Sequence, residues 1–339
     1  SSIDSNAEIT CVTDSDLDPY NKCLLIDNLQ NKNSNQDLFL IKNNKILDKI
    51  KLIKNTKIID INSHQKFVQD FNNNRFYFDK LLIATGTSSR VPESLYKNLN
   101  KNIINYLKFF HNLKDLEILK KTIKTDQKAI IIGAGVTGLE LADALNNLGV
   151  KVILIEKQNN LFENLVSLQA SIKLENLIKN SGVNLITGAN ILKIESCLSQ
   201  QIPSTFKVVL DNSLEIEVDH VICCAGTTPS TQFLKNSQIK LNNSFIAVNE
   251  KLETNIPEIY AAGDCAVIEN SLTGKIIKNN LWPEAVIQGM LAAKSMTGKP
   301  AQYPGVIKYA TTKLAGETIN FSGILNNNPC FAGFSGEKI

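Results

Sequence analysis

Apolar and polar positions come in short blocks along the chain, and the blocks predict a mixed α/β fold. Ala7–Val12 reads as a short strand and Asp14–Pro19 as a polar turn. Short β-like runs recur from Phe39 to Val68, among them Lys57–Ile61. Arg75–Ala84 holds two strands with little between them. The second, Lys80–Ala84, is apolar like a buried parallel strand and stops at the turn Thr85-Gly86-Thr87-Ser88. A connector and a helix over Leu113–Thr122 come next. Lys128–Ile132 is then a strand, a glycine-rich turn follows, and Val136–Asn147 is a helix with Leu139, Leu141, Ala144 and Leu145 on its apolar side. Gly149 ends that helix, and Lys151–Glu156 is the next strand, which makes a β-α-β unit. The pattern continues with a helix over Leu168–Ser181, β-like residues from Val183 to Ile194, and strands at Phe206–Leu210, Glu215–Val218, Val221–Cys224, Phe245–Val248 and Ile259–Ala262. Pro283–Met296 is the last helix. One domain, from residue 128 to about 243, is inserted between other α/β material.

Composition bounds the picture. With 339 residues the chain exceeds one ordinary domain, so two or three are expected. Hydrophobic residues make up 43%, enough for real cores, and no apolar run approaches the roughly 18 residues of a membrane span. The net charge of +3 is near balance and argues against a nucleic-acid surface. Lysine supplies nearly all the positive charge, because the only arginines are Arg75 and Arg90. The seven cysteines form no C-x-x-C; only Cys223 and Cys224 are close. That is neither a disulfide framework nor a zinc pattern, and a reducing, cytoplasmic compartment is expected. His64, His111 and His220 lie in unrelated places, so no metal site is expected.

The strongest chemical signal is Gly133-Ala134-Gly135-Val136-Thr137-Gly138, a G-x-G-x-x-G after a predicted strand and at the start of a predicted helix. In that setting Gly133 permits the tight turn, Gly135 lets backbone approach a pyrophosphate, and Gly138 lets helix and strand pack closely. The helix N-terminus offers unpaired N–H groups to phosphate. Glu156, at the end of the second strand, suits the ribose hydroxyls of adenosine. It favours NADH and repels a 2′-phosphate, and Lys157 beside it softens that preference. The plain alternative for Glu156 is surface charge.

Four blocks, in order, resemble the pyridine nucleotide–disulfide oxidoreductase superfamily over roughly residues 7 to 325. They are Phe78–Gly86; Gly133–Glu140; Thr254–Asp264, a strand ending in Gly263-Asp264; and Leu281–Ala285 with Gln288-Gly289. Within the superfamily the chain is most similar to NADH–rubredoxin reductases, the flavoprotein part of nitrite reductases and related ferredoxin reductases. The resemblance implies an α/β fold of two Rossmann-like, three-layer dinucleotide-binding domains, with the NAD domain inserted in the FAD domain. It sets FAD-binding segments at 1–112 and 244–302, the NAD domain at 113–243, and the start of a C-terminal interface domain at 303–339. It implies FAD contacts from Asp14, Lys22, Thr85, Gly86, Asp264 and Trp282. It adds Glu140 and Gly226 to the NAD loop, facing the nicotinamide. The plain alternatives are an Asx-turn for Asp14, solvated surface for Lys22, a helix N-cap for Asp264, a helix-face salt bridge for Glu140 and a core aromatic for Trp282. Relatives usually carry Arg and Asn where this chain has Thr227 and Ser230, which weakens the Gly226 contact.

The chain opens on what resembles the family's second strand, so the first strand and its glycine loop are missing, and the interface domain is short. Both imply a piece of a longer gene product. The resemblance implies hydride transfer from NADH to FAD, then electrons to an acceptor. A small redox protein such as rubredoxin or ferredoxin is the first expectation, a small molecule the alternative; dimerisation is left open. A competing reading is a single-cysteine NADH oxidase, NADH peroxidase or CoA-disulfide reductase using Cys23, near the positive charge of Lys22. Against it, the family's small residue before that cysteine and Gly after it are here Lys22 and Leu24. A third reading is a non-catalytic dinucleotide-binding subunit.

Overall fold

A computed structural model describes residues 6–40, 49–98, 101–163, 166–199, 202–269, 276–278, 281–303, 309–322 and 331–334. Part of the Phe39–Val68 run (41–48) and Cys330 lie outside them. The chain divides into two compact units. One comprises Ser1–Asn21, Asn35–Ser88 and Thr228–Ile307; the other comprises Lys22–Ser34, Ser89–Thr227 and Lys308–Ile339. Among the described residues no helix is long and apolar enough to cross a membrane.

In the second unit a short helix α1 (Leu25–Leu29) is followed, after Ser89, by β1 (Lys108–Phe109), α2 (Leu113–Thr122), β2 (Lys128–Ile132), α3 (Val136–Asn147), β3 (Lys151–Ile155), α4 (Leu168–Asn180) and β4 (Asn184–Ile186). Three antiparallel strands form a meander: β5 (Ile191–Ser199), β6 (Ile202–Leu210) and β7 (Glu215–Val218). Next is β8 (His220–Cys223); last are β9 (Tyr309–Leu314), β10 (Glu317–Ser322) and β11 (Phe331–Phe334). The parallel sheet runs β4-β3-β2-β8-β1. β2 is buried at every position but Lys128, as a central strand covered on both faces must be. The meander replaces a crossover helix: Phe206, Val208, Leu210 and Val218 pack with Ile130, Ile132, Ile155 and Val221 in one apolar core.

Local chemistry sets the helix ends. Asn112 accepts from the Asp115 amide at 2.9 Å while the Asp115 carboxylate accepts from the Asn112 amide, a capping box that starts α2. Ser167 caps α4 through the Ala170 amide at 3.2 Å. α1 packs on α2 and α3, and β9 packs on α3, so two segments distant in sequence cover that helix.

The first unit is built from smaller sheets. Ile9–Val12 pairs in parallel with Ile50–Ile53, and Leu81–Ile83 pairs in parallel with Ile259–Ala261. Ile58–Asn62, Phe67–Asp70 and Arg75–Tyr77 form an antiparallel meander. Ile61, Val68, Ile83, Ile246, Ile259 and Cys265 share its core. The helix Trp282–Met296 completes it. The segment expected to be a turn at Thr87 and Ser88 is instead extended, in the strand Thr87–Ser89.

Candidate functional site

At the carboxyl ends of the central strands of the second unit, two glycines of the loop answer to packing and one to open space. Gly133 has φ 97°, a region that L side chains rarely adopt, and a Cβ there would lie 2.8 Å from the Cys224 carbonyl oxygen. A Cβ on Gly138 would stand 1.9 Å from the Gly133 carbonyl oxygen. Among the described residues a Cβ on Gly135 would meet nothing within 4 Å. Gly135 is the N-cap of α3 and brings no side-chain cap, so the first amides of the helix stay available, and Gly135 and Thr137 are exposed beside them. An anion seated there finds backbone donors and the positive end of the helix dipole.

Glu156 stands against the same loop. Its Oε2 accepts from the Ala134 amide at 2.9 Å and its Oε1 from the Gln158 amide at 3.0 Å. The Gly133 amide bonds the Ile155 carbonyl at 2.8 Å, which ties the loop to the end of β3. Gly226 follows the end of β8, the strand beside β2, at φ 92° with open space where a Cβ would be. Strand order turns back between β2 and β8, and such switch points are where open α/β sheets take ligands. The structure thus gathers Gly133, Gly135, Val136, Thr137, Gly138, Glu156 and Gly226 at one sheet end. Composition alone did not single out Arg90 for this place: its amide donates to the Gly226 carbonyl at 3.1 Å and its guanidinium to the Ala225 carbonyl at 3.5 Å. Its rarity, as one of two arginines, was the only available signal. Burial pushes the Cys223 and Cys224 thiols up, so neither is a ready thiolate. A groove of about 570 Å³ around Asn146, Lys151 and Asn184 lies at the other end of the strands.

Glu140, on α3, is engaged elsewhere in the unit. Its Oε1 accepts from Thr312 Oγ1 on β9 at 2.7 Å, and burial holds its carboxyl above the ordinary range. Lys22 places its ammonium 3.4 Å from His111 Nε2, and Cys23 beside it is exposed.

In the first unit, Thr85, Gly86 and Asp264 come together because their strands pair. Thr85 Oγ1 donates to the Ser230 carbonyl at 2.8 Å, and the Ser230 amide donates to the Gly86 carbonyl at 3.0 Å. Gly86 sits at φ 63°, and among the described residues nothing lies within 4 Å of a Cβ there. Asp264 occupies the middle of the helical turn Gly263–Cys265, whose N-cap is Ala262, so it does not serve as the cap. Gln288 is fully buried. Its Oε1 accepts from the Gly263 amide at 2.7 Å, and its Nε2 has no hydrogen-bond partner among the described residues. Such an orphan donor costs about 1–3 kcal/mol. Glu284, also buried, accepts from the Tyr303 hydroxyl. Trp282 opens the helix, half-buried. Asp14 is exposed; the side chains that close its turn are Thr13 and Ser15, bonding the Ser15 and Leu17 amides.

A parallel sheet with a glycine loop at its switch point defines a nucleotide-binding α/β protein. The profile of the pyridine nucleotide-disulphide oxidoreductase family matches residues 2–289, and the chain belongs to that family. It is 26% identical over 272 residues to an NADH oxidase of Methanocaldococcus jannaschii, covering 78% of this chain and 58% of that protein. It is 25% identical over 326 residues to a nitric oxide reductase FlRd-NAD(+) reductase of Salmonella paratyphi A, covering 93% and 81%. An NAD-dependent persulfide reductase from A. fulgidus superposes with a TM-score of 0.86 at 26% identity, over 96% of this chain and 61% of that one. The chain therefore spans little more than half the length of some of its relatives.

Proposed function

We propose that the chain is the cofactor-binding part of an NADH-dependent flavoprotein oxidoreductase. NADH binds the second unit at Gly133–Gly138, Glu156 and Gly226; FAD binds the first unit about Thr85, Gly86 and Asp264. The observation that carries the reading is the Gly135 cradle. It is a glycine required by no neighbour, at an uncapped helix start, beside a carboxylate fixed by two amides. The uncapped amides of α3 hold a diphosphate, and Glu156 keeps lone pairs for ribose hydroxyls while opposing a 2′-phosphate. In the first unit, Gly86 offers open space at positive φ, and the buried Nε2 of Gln288 is a donor that a polar ligand atom would satisfy. Asp264 takes a ribityl hydroxyl, and Asp14 and Trp282 complete the flavin contacts. When bound, the two cofactors supply hydride transfer and the onward release of electrons one or two at a time. The protein binds and orients them. The acceptor is a small redox protein, a reading that the likeness to an FlRd-NAD(+) reductase supports.

The visible spectrum of the purified chain, with FAD supplied, tests this. A flavin band that anaerobic NADH bleaches is expected, and a chain that takes up neither cofactor refutes it. The exposure of Cys23 favours a second reading, thiol-based oxidase or peroxidase chemistry. Under it Cys23→Ser abolishes peroxide or disulfide turnover; under the first reading NADH-to-dye turnover survives.

A further inference from the structure

Helix α3 presents the glycine loop at its start and an acidic face along its side. Glu140 and Asp143 are three residues apart and share that face. Two other elements of the same unit close over it. From α1 and the turn after it come Asp27, whose charge repels that of Glu140, and Lys32, whose charge attracts that of Asp143. From the hairpin β9–β10, the buried Thr312 donates to Glu140 at 2.7 Å, the Lys313 backbone bonds the same carboxyl, and the Ala315 backbone bonds Asp143. The charged side chains at this end of the hairpin are Lys313, which is exposed, and Glu317. Asp143 is 8% exposed, and although Asn147 also bonds its carboxyl, its Oδ1 has no partner among the described residues.

The two carboxyl groups of α3 therefore meet a third, from Asp27, across a seam between α1, α3 and the hairpin, where Lys32 is the ammonium that acts on Asp143. Buried charge without a matching partner is costly, and taking up a proton relieves it. A proton on Glu140 removes its repulsion with Asp27 and keeps the Thr312 bond, since a hydroxyl can donate or accept.

We propose that the hairpin β9–β10 is a proton-operated clasp on α3, shut while Glu140 and Asp143 hold a proton between them and loosened when both are charged. Burial raises both carboxyls above their ordinary values of 4.5 and 3.8, with Asp27 adding to the effect on Glu140. The sign follows. The closed seam binds protons that the open form has released, so closure is most favourable below the ordinary values and weakens as pH rises through the raised ones. Nothing in this inference rests on NADH or flavin.

Amide hydrogen exchange of the full chain, corrected for intrinsic rates and followed from about pH 5 to about pH 9, tests the clasp. Protection across β9 and β10 is expected to fall by about tenfold or more as pH rises, while β2 and β3 stay protected. In the Glu140→Gln, Asp143→Asn double variant protection is expected to be high and flat. Protection in the native chain that ignores pH, or an equal fall in the double variant, overturns the proposal. Should the double variant not fold, the carboxyl carbon resonance of Glu140 in the native chain decides: a raised titration sustains the clasp, an ordinary one overturns it.

Discussion

Gly135→Ala and Gly138→Ala are the same chemical change three residues apart, and the structure separates them completely. By helix propensity alone, Ala at Gly138, inside α3, would stabilise by about 1 kcal/mol. The added Cβ would instead lie 1.9 Å from the Gly133 carbonyl oxygen, well over 1 Å inside van der Waals contact, and that oxygen belongs to backbone held between β2 and β3. An overlap this deep with backbone falls in the upper part of the overpacking range, about 2–3 kcal/mol, so Gly138→Ala is a net loss of roughly 1–2 kcal/mol. In a domain of this size that lowers Tm by about 2–4 °C per kcal/mol. Gly135→Ala meets no atom of the described residues within 4 Å. It keeps stability within about 1 kcal/mol, the cost of a poorer N-cap. It fills the space assigned to the diphosphate, and NADH affinity is expected to fall at least about tenfold, roughly 1.4 kcal/mol. Urea unfolding followed by circular dichroism measures the first effect and calorimetric titration with NADH the second. If Gly135→Ala binds NADH as the native chain does, the cradle is not a ligand site and the reasoning fails. If Gly138→Ala is neutral or stabilising, the close approach of loop and helix is not as the structure has it.

Three further outcomes are expected. Glu156→Gln loses charge-assisted bonds to Ala134 and Gln158 worth about 1.5–3 kcal/mol and narrows the preference for NADH over NADPH, read as the ratio of the two affinities. Gln288→Leu leaves the Gly263 amide without its acceptor, at a cost of about 1–3 kcal/mol, and lowers FAD retention on gel filtration; unchanged retention would count against the flavin site. His220 is part-buried between Lys108 Nζ, 3.1 Å from its Nδ1, and Gln127 Oε1, 2.9 Å from its Nε2. Burial first, then Lys108, lowers its pKa from 6.5 to about 4. The native form thus binds fewer protons than the unfolded chain between those values. Stability from this group is complete above pH 6.5 and is lost as pH falls towards about 4. In His220→Gln that part of the acid destabilisation should vanish from urea midpoints.

What the sequence determined by itself is local. Leu113–Thr122, Lys128–Ile132 and Val136–Asn147 have the bounds that the apolar pattern and the glycines predict, because strand, turn and helix there depend on neighbours in the chain. The Gly133–Gly138 loop and Glu156 were legible for the same reason: motif and strand end lie in one β-α-β unit. Tertiary structure alone decided the partners that come from far away. Thr312 reaches Glu140 across 172 positions, and although the resemblance marked Gln288-Gly289, nothing in the sequence paired Gln288 with the Gly263 amide. The short α1 lacks the length to be helical by propensity, and its packing on α2 and α3 is what holds it. Motif spacing already assigned the tight turn to Gly133, close packing to Gly138 and an open approach to Gly135, but not that the atoms opposite the first two are the carbonyl oxygens of Cys224 and Gly133. Spacing gives the residue type, but only the folded chain sets which atoms stand opposite it.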